Sequence, residues 1–245
     1  MSQSTPQKSA FTLIEMLLVV SLIVLLISML LPALHQAREV TKDRTCEVNL
    51  RQIYGATVAY TGANVKYIPL SRGASGIKPW VYSPWTGSIN NVRNGSLYPY
   101  IESDGAYLCP KFDAVYRRWN PAFANSTAIF SYSLNEYFGN SWMGQAGVRT
   151  IDGPQKPAEL LMYSDENAWK IPGPPELSRY TINNGALGVG RFGDSGSIVD
   201  CVGTFHNAPS GNYNKGMGNV VFIDGHIDQV APEDSKEVAT PERYK

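Results

Sequence analysis

The sequence predicts an α+β chain. One long N-terminal helix, membrane-spanning in its first half, packs on a loop-rich antiparallel β-sheet head. Three observations carry that expectation. Residues 16–34 contain no charge, and nineteen residues at about 1.5 Å of helical rise nearly cross a hydrocarbon core of roughly 30 Å. Beyond them Cys46, Leu50, Ile53, Tyr54, Thr57 and Tyr60 recur at helical spacing, giving a mainly apolar stripe suited to packing on a sheet. After residue 61 the chain is rich in Gly, Pro, Asn, Ser and Tyr, with short alternating apolar runs, which is the pattern of a loop-rich β domain.

Charge narrows the function. Lys and Arg number 21 and Asp and Glu number 21, so the net charge is zero, and no basic stripe exists to bind nucleic acid. Residues 1–10 read as a polar leader with a single cation, Lys8. Setting aside that leader and the long helix leaves about two hundred of the 245 residues for one soluble domain.

Taken in order, the helix is expected over residues 11–61, roughly 75 Å long, with Gly62 as its stop. Pro32 removes a backbone donor and should bend it. Residues 63–125 hold Pro69, Pro79, Pro84, Pro99 and Pro110 and read as loops with short strands and no long helix. Within them Tyr98-Pro99-Tyr100-Ile101 and Ala106-Tyr107-Leu108-Cys109-Pro110 are the best strand or core segments. Residues 128–135 alternate apolar and small polar side chains and read as a strand, as do residues 159–165. Residues 171–218 are again loop-dominated. A hairpin of 219–223 and 226–230, turning at Asp224-Gly225, is the clearest β signal in the chain.

Two details separate the N-terminus from an ordinary signal peptide. The best small residue, Ala10, precedes the apolar run instead of following it. A carboxylate, Glu15, stands just inside that run, where an unpaired charge costs a few kcal/mol or more. Ala10/Phe11-Thr12-Leu13-Ile14-Glu15 resembles the prepilin-type cleavage and methylation motif of type IV pilins and type II secretion pseudopilins, with Ala10 where that family usually has glycine. The resemblance implies cleavage between Ala10 and Phe11 by a prepilin peptidase and methylation of the Phe11 amine. It also implies assembly with other pilin or pseudopilin subunits through Glu15 and a helix that carries Pro32. It places the chain as a single-pass protein of the inner membrane with a periplasmic head, then in an envelope filament. Arg38, Lys42, Arg44 and Arg51 outnumber Lys8, which runs against the positive-inside tendency; the expected orientation follows the resemblance.

The resemblance extends along the chain. Cys46-Glu47-Val48-Asn49-Leu50-Arg51-Gln52-Ile53, Leu108-Cys109-Pro110, Ser131-Tyr132-Ser133-Leu134-Asn135 and Val221-Phe222-Ile223-Asp224-Gly225-His226 are similar to a pilin-like family that ends in a His…Asp-Gly motif. Here His206 is followed by seventeen residues before Asp224, about eight more than the family spacing. Three cysteines allow one bridge in an exported domain, and their spacing alone does not choose the pair. Position favours Cys46–Cys109, since Cys46 lies on the helix stripe and Cys109 ends a core-like segment.

Catalytic signals are weak, and no enzyme is expected. Gly193-Asp194-Ser195-Gly196-Ser197 is similar to a serine-protease nucleophile loop, but a Gly/Ser turn is the favoured reading. The glycines from Gly185 to Gly193 lack the strand–turn–helix context of a phosphate site. A divalent metal is the one cofactor left open, at Asp224, His226 and Asp228, with His206, Asp194 and Asp200 as neighbours in prospect. Trp80, Trp85, Trp119, Trp142 and Trp169 are expected to fill a core more readily than to form a carbohydrate-binding face. The rivals to a filament subunit are therefore a membrane-anchored carbohydrate-binding module and, behind it, an anchored hydrolase.

Overall fold

The computed structural model describes residues 12–71, 78–81, 90–119, 129–138, 148–167, 185–188 and 200–240, without the side chains of 90, 91 and 117–119. Two compact units make up the chain, residues 1–41 and 42–245. Helix α1, Leu13–Ala63, is continuous through Pro32 and enters both. In the first unit its apolar side chains from Leu13 to Leu34 are all exposed. This helix is long and apolar enough to cross a membrane. In the second unit the same helix buries Cys46, Asn49, Leu50, Ile53, Ala56, Thr57 and Thr61. That is the stripe expected from the three- and four-residue spacing, with Tyr54 and Tyr60 packed at its edge.

Residues 90–119 are more helical than their prolines suggest. Short helices α2, Asn90–Arg93, and α3, Tyr98–Ile101, lead to a 3-10 turn at Asp104–Tyr107 and then to α4, Pro110–Trp119. Tyr98–Ile101 is thus a helical turn, not a strand; the region was expected to hold no long helix, and the longest among its described residues, α4, has 10 residues. The physical reason is visible afterwards. Pro110 opens α4, where its missing N–H costs nothing and its fixed φ suits the first turn. Phe112, Val115 and Tyr116 then put one face into the core.

The sheet has five strands in the order β3-β1-β2-β4-β5. These are β1, Tyr132–Asn135; β2, Leu161–Asp165; β3, Ala186–Leu187; β4, Gly218–Phe222; and β5, Ile227–Val230. Three pairings are antiparallel, but β3 runs parallel to β1, so the sheet is mixed instead of wholly antiparallel. Strands β1, β2 and β4 are buried along their whole length. On one face Val221 and Ile223 join α1, Trp80, Tyr107, Tyr132, Tyr163 and Phe205 in the main core. On the other, Val220 and Phe222 join Leu161, Leu187, Val202, Val230 and Ala239 of the C-terminal helix α5, Ser235–Ala239. Period-two alternation sends neighbouring residues of β4 to opposite faces, and here both faces are covered.

The hairpin turn differs by one residue from the two-residue expectation. Phe222 N–H donates to the His226 carbonyl (3.0 Å) and Gly225 N–H to the Phe222 carbonyl (3.0 Å), so the loop is Ile223-Asp224-Gly225. Gly225 has φ +91°, the left-handed position that closes a three-residue hairpin loop.

Candidate functional site

Ala10 and Phe11 lie outside the described residues. Thr12 and Glu15 make a capping box at the start of α1. Thr12 N–H (2.8 Å) and Thr12 Oγ1 (2.7 Å) both donate to Glu15 Oε2, and Glu15 N–H reaches Thr12 Oγ1 (3.3 Å). Glu15 therefore caps its own helix. The Thr-x-x-Glu spacing was readable from sequence as a cap.

The segments quoted for the family resemblance meet at one place in the second unit. Cys46 of α1 and Cys109, just before α4, form a disulfide across 63 residues. Cys109 N–H donates to Ser131 Oγ (2.7 Å), and Tyr132 hydroxyl donates to the Cys46 carbonyl (3.3 Å). The Asn49 side-chain amide donates to the carbonyls of Leu108 (3.1 Å) and Gly105 (3.3 Å). Asn135 donates to Leu161 (3.0 Å) and Ala239 (2.8 Å) carbonyls while its own oxygen accepts from Tyr137 N–H (3.1 Å). Each buried polar side chain answers a backbone group that the packing has removed from water. These motif residues fasten helix to sheet.

His206 is at the centre of the fastening and is fully buried. Its backbone pairs with Met217 in an isolated antiparallel bridge, which aims the ring at α1. Nδ1 lies 2.6 Å from Asp43 Oδ1 and Nε2 lies 3.0 Å from Asp165 Oδ2. Lys111 Nζ completes the row at 2.7 Å from Asp43. Burial alone would lower the His206 pKa, but the Asp165 and Asp43 carboxylates outweigh it and raise the value to about 9. Burial pushes Asp43 upward, yet His206 and Lys111 hold its carboxyl below the usual range. A protonated ring has Nδ1–H beside Asp43 and Nε2–H beside Asp165, with the Asn219 amide nitrogen 3.2 Å from Nε2. Cation, anion, cation and anion alternate from Lys111 to Asp165, so the buried charges are compensated in pairs. Asp43, Lys111 and Asp165 were not singled out from sequence, since nothing local marks residues that meet across 68 and 163 positions.

The Asp224-Gly225-His226 tip docks on the same helix. Tyr54 hydroxyl donates to the Ile223 carbonyl (2.9 Å), and a Cβ on Gly225 would stand 2.7 Å from Tyr54 Cε1. Asp224 accepts from the backbone and ring of His226, whose ring stacks on Phe222 with centroids 4.2 Å apart. A metal at Asp224, His226 and Asp228 is not supported by this geometry. His226 Nδ1 is taken up by Asp224, Asp228 accepts from Gln229 N–H (2.7 Å), and their ligand atoms do not converge. Among the described residues, the metal-like group is instead Cys46, Cys109 and His206. Asp200 lies with another set, accepting from Gly188 N–H (2.9 Å), and Asp194 is outside the described residues.

Trp80 is fully buried and its indole N–H donates to the Gly185 carbonyl, as a core tryptophan does. Trp85, Trp142, Trp169 and the Gly193–Ser197 loop lie outside the described residues, as does the side chain of Trp119. Buried Glu136 and Glu166, with Ser133 donating to Glu166, were not anticipated. Alternation had suggested a polar face for β1 but not that it would be covered. The chain matches no protein-family model, no curated protein and no solved structure.

Proposed function

We propose that this chain is a structural subunit, a pilin or pseudopilin, of a type II secretion pseudopilus or a type IV pilus. A prepilin peptidase would cut between Ala10 and Phe11 at the inner membrane, leaving the head in the periplasm. The observation that carries the reading is the contrast along α1. Its first stretch exposes every large apolar side chain from Leu13 to Leu34 and holds Glu15 in the first turn, while its later stretch is a buried part of the head. Such a helix has an apolar surface in need of lipid or of like helices. In a core of packed helices the Glu15 carboxylate has no water and pairs with the Phe11 amine of a neighbour.

The capping box refines the experiment. Glu15→Leu removes both the charge and the cap, whereas Glu15→Gln removes the charge and keeps an acceptor for Thr12. Wild type and both variants are expressed with an assembly machinery and filaments are sheared from the cells. The expected result is membrane insertion and cleavage in all three, with both variants missing from the filament fraction. Recovery of Glu15→Gln at the wild-type level would remove the charge-pairing role. Absence of the wild-type chain from any filament would defeat the subunit reading in favour of an anchored binding module.

A further inference from the structure

We propose that the contact between residues 42–49 of α1 and residues 105–111 is a redox-sensitive latch. The Cys46–Cys109 bond shuts it, and reduction of that bond lets the contact part while α1 from Leu50 onward stays on the sheet.

Two stretches of the helix are held in different ways. From Leu50 on, α1 buries Leu50, Ile53, Ala56, Thr57 and Thr61, with Tyr54 and Tyr60 packed beside them. Thr57 Oγ1 and the Tyr163 hydroxyl meet at 2.9 Å, and the Tyr54 hydroxyl donates to the Ile223 carbonyl. Residues 42–49 bury only Cys46 and Asn49. What fastens them is covalent or polar. Cys46 is bonded to Cys109, Asn49 donates to the carbonyls of Gly105 and Leu108, and Asp43 meets Lys111 and His206. A stretch with so little apolar burial belongs to the low-stability end of a fold, where local opening precedes global unfolding.

Parting the contact strands no charge. Asp43 is already part-exposed and returns to water, Lys111 is uncovered with it, and His206 keeps Asp165 at 3.0 Å. The polar groups trade protein partners for water, which costs far less than leaving them buried and unmet. The covalent bond is then the main barrier. Cys46 and Cys109 are both wholly buried, so a dithiol reaches them only where the contact has begun to part. That dithiol is oxidised to its own disulfide while the Cys46–Cys109 bond takes two electrons and two protons and becomes two thiols. In oxidising surroundings a pull along α1 reaches the head at Cys46; after reduction it is first resisted from Leu50 on. The device is the same whether the apolar stretch of α1 lies in lipid or in a filament core.

The test uses the full chain in detergent. The rate at which a water-soluble dithiol reduces the oxidised protein is followed in rising, sub-denaturing urea. Local parting exposes little surface, so the rate should climb with a shallow slope; a slope as steep as that of global unfolding would overturn the latch. The reduced protein is then alkylated, and the rate at each cysteine is divided by the rate at the same cysteine in the urea-unfolded chain. Cys201, buried and outside the bridge, is the internal control. On that scale Cys46 and Cys109 should react at least about tenfold faster than Cys201. Equal protection of all three, or equal loss of it, would overturn the latch. Should the reduced chain not stay folded, the urea slope on the oxidised protein decides.

Discussion

His206 should make the stability of the oxidised protein fall as pH rises through the weakly alkaline range. Its folded pKa of about 9 lies above the ordinary value of 6.5, so the imidazolium contributes fully below pH 6.5. That contribution is lost progressively as pH climbs through 9. A shift of this size corresponds to on the order of 3 kcal/mol by linkage. The groups facing the ring are Asp43 and Asp165, with Lys111 behind Asp43 and the Asn219 amide and Cys109 sulfur near Nε2. His206→Gln removes the cation, so the wholly buried Asp165 loses it and Asp43 keeps only Lys111. Breaking such a pair costs about 3–5 kcal/mol. Urea denaturation of the full chain in detergent, at pH 6 to 9.5, gives the assay. The wild type should lose stability across that window while His206→Gln starts lower and stays flat, so the two curves converge. A wild-type midpoint independent of pH, or a variant with the same slope, would refute the charged-histidine account.

Three further outcomes are expected. Gly225→Ala should cost about 2–3 kcal/mol, from a left-handed backbone position and from displacement of the Tyr54 ring; thermal unfolding that matches wild type would contradict this. Reducing Cys46–Cys109 should lower stability by about 4 kcal/mol, the chain-entropy value for a loop closed across 63 residues. An unmoved denaturation midpoint would count against it. Asn135→Ala leaves two carbonyls and one N–H unanswered in the core and should cost about 3 kcal/mol. Because one of those carbonyls belongs to Ala239, faster tryptic cleavage at Lys236 is the local sign to look for.

Some features were legible because they are local or periodic. The apolar run and the stripe from Cys46 to Thr57 state one helix with two kinds of surface, since a 3.6-residue period decides which face is buried wherever the helix goes. The segments at Tyr132–Asn135 and Leu161–Asp165 and the hairpin ending in Gly225 follow from period-two alternation and turn chemistry. Helix α4 was hidden by prolines read as breakers, although Pro110 sits at the first helical position. The tertiary structure alone decided the rest. The parallel pairing of β3, the covering of the polar face of β1 and the convergence of Asp43, Lys111, Asp165 and His206 depend on the path of the chain between them. Periodicity records how much of a segment leaves water, but a buried charge is stable only beside its opposite, and that neighbour is chosen by packing and not by spacing.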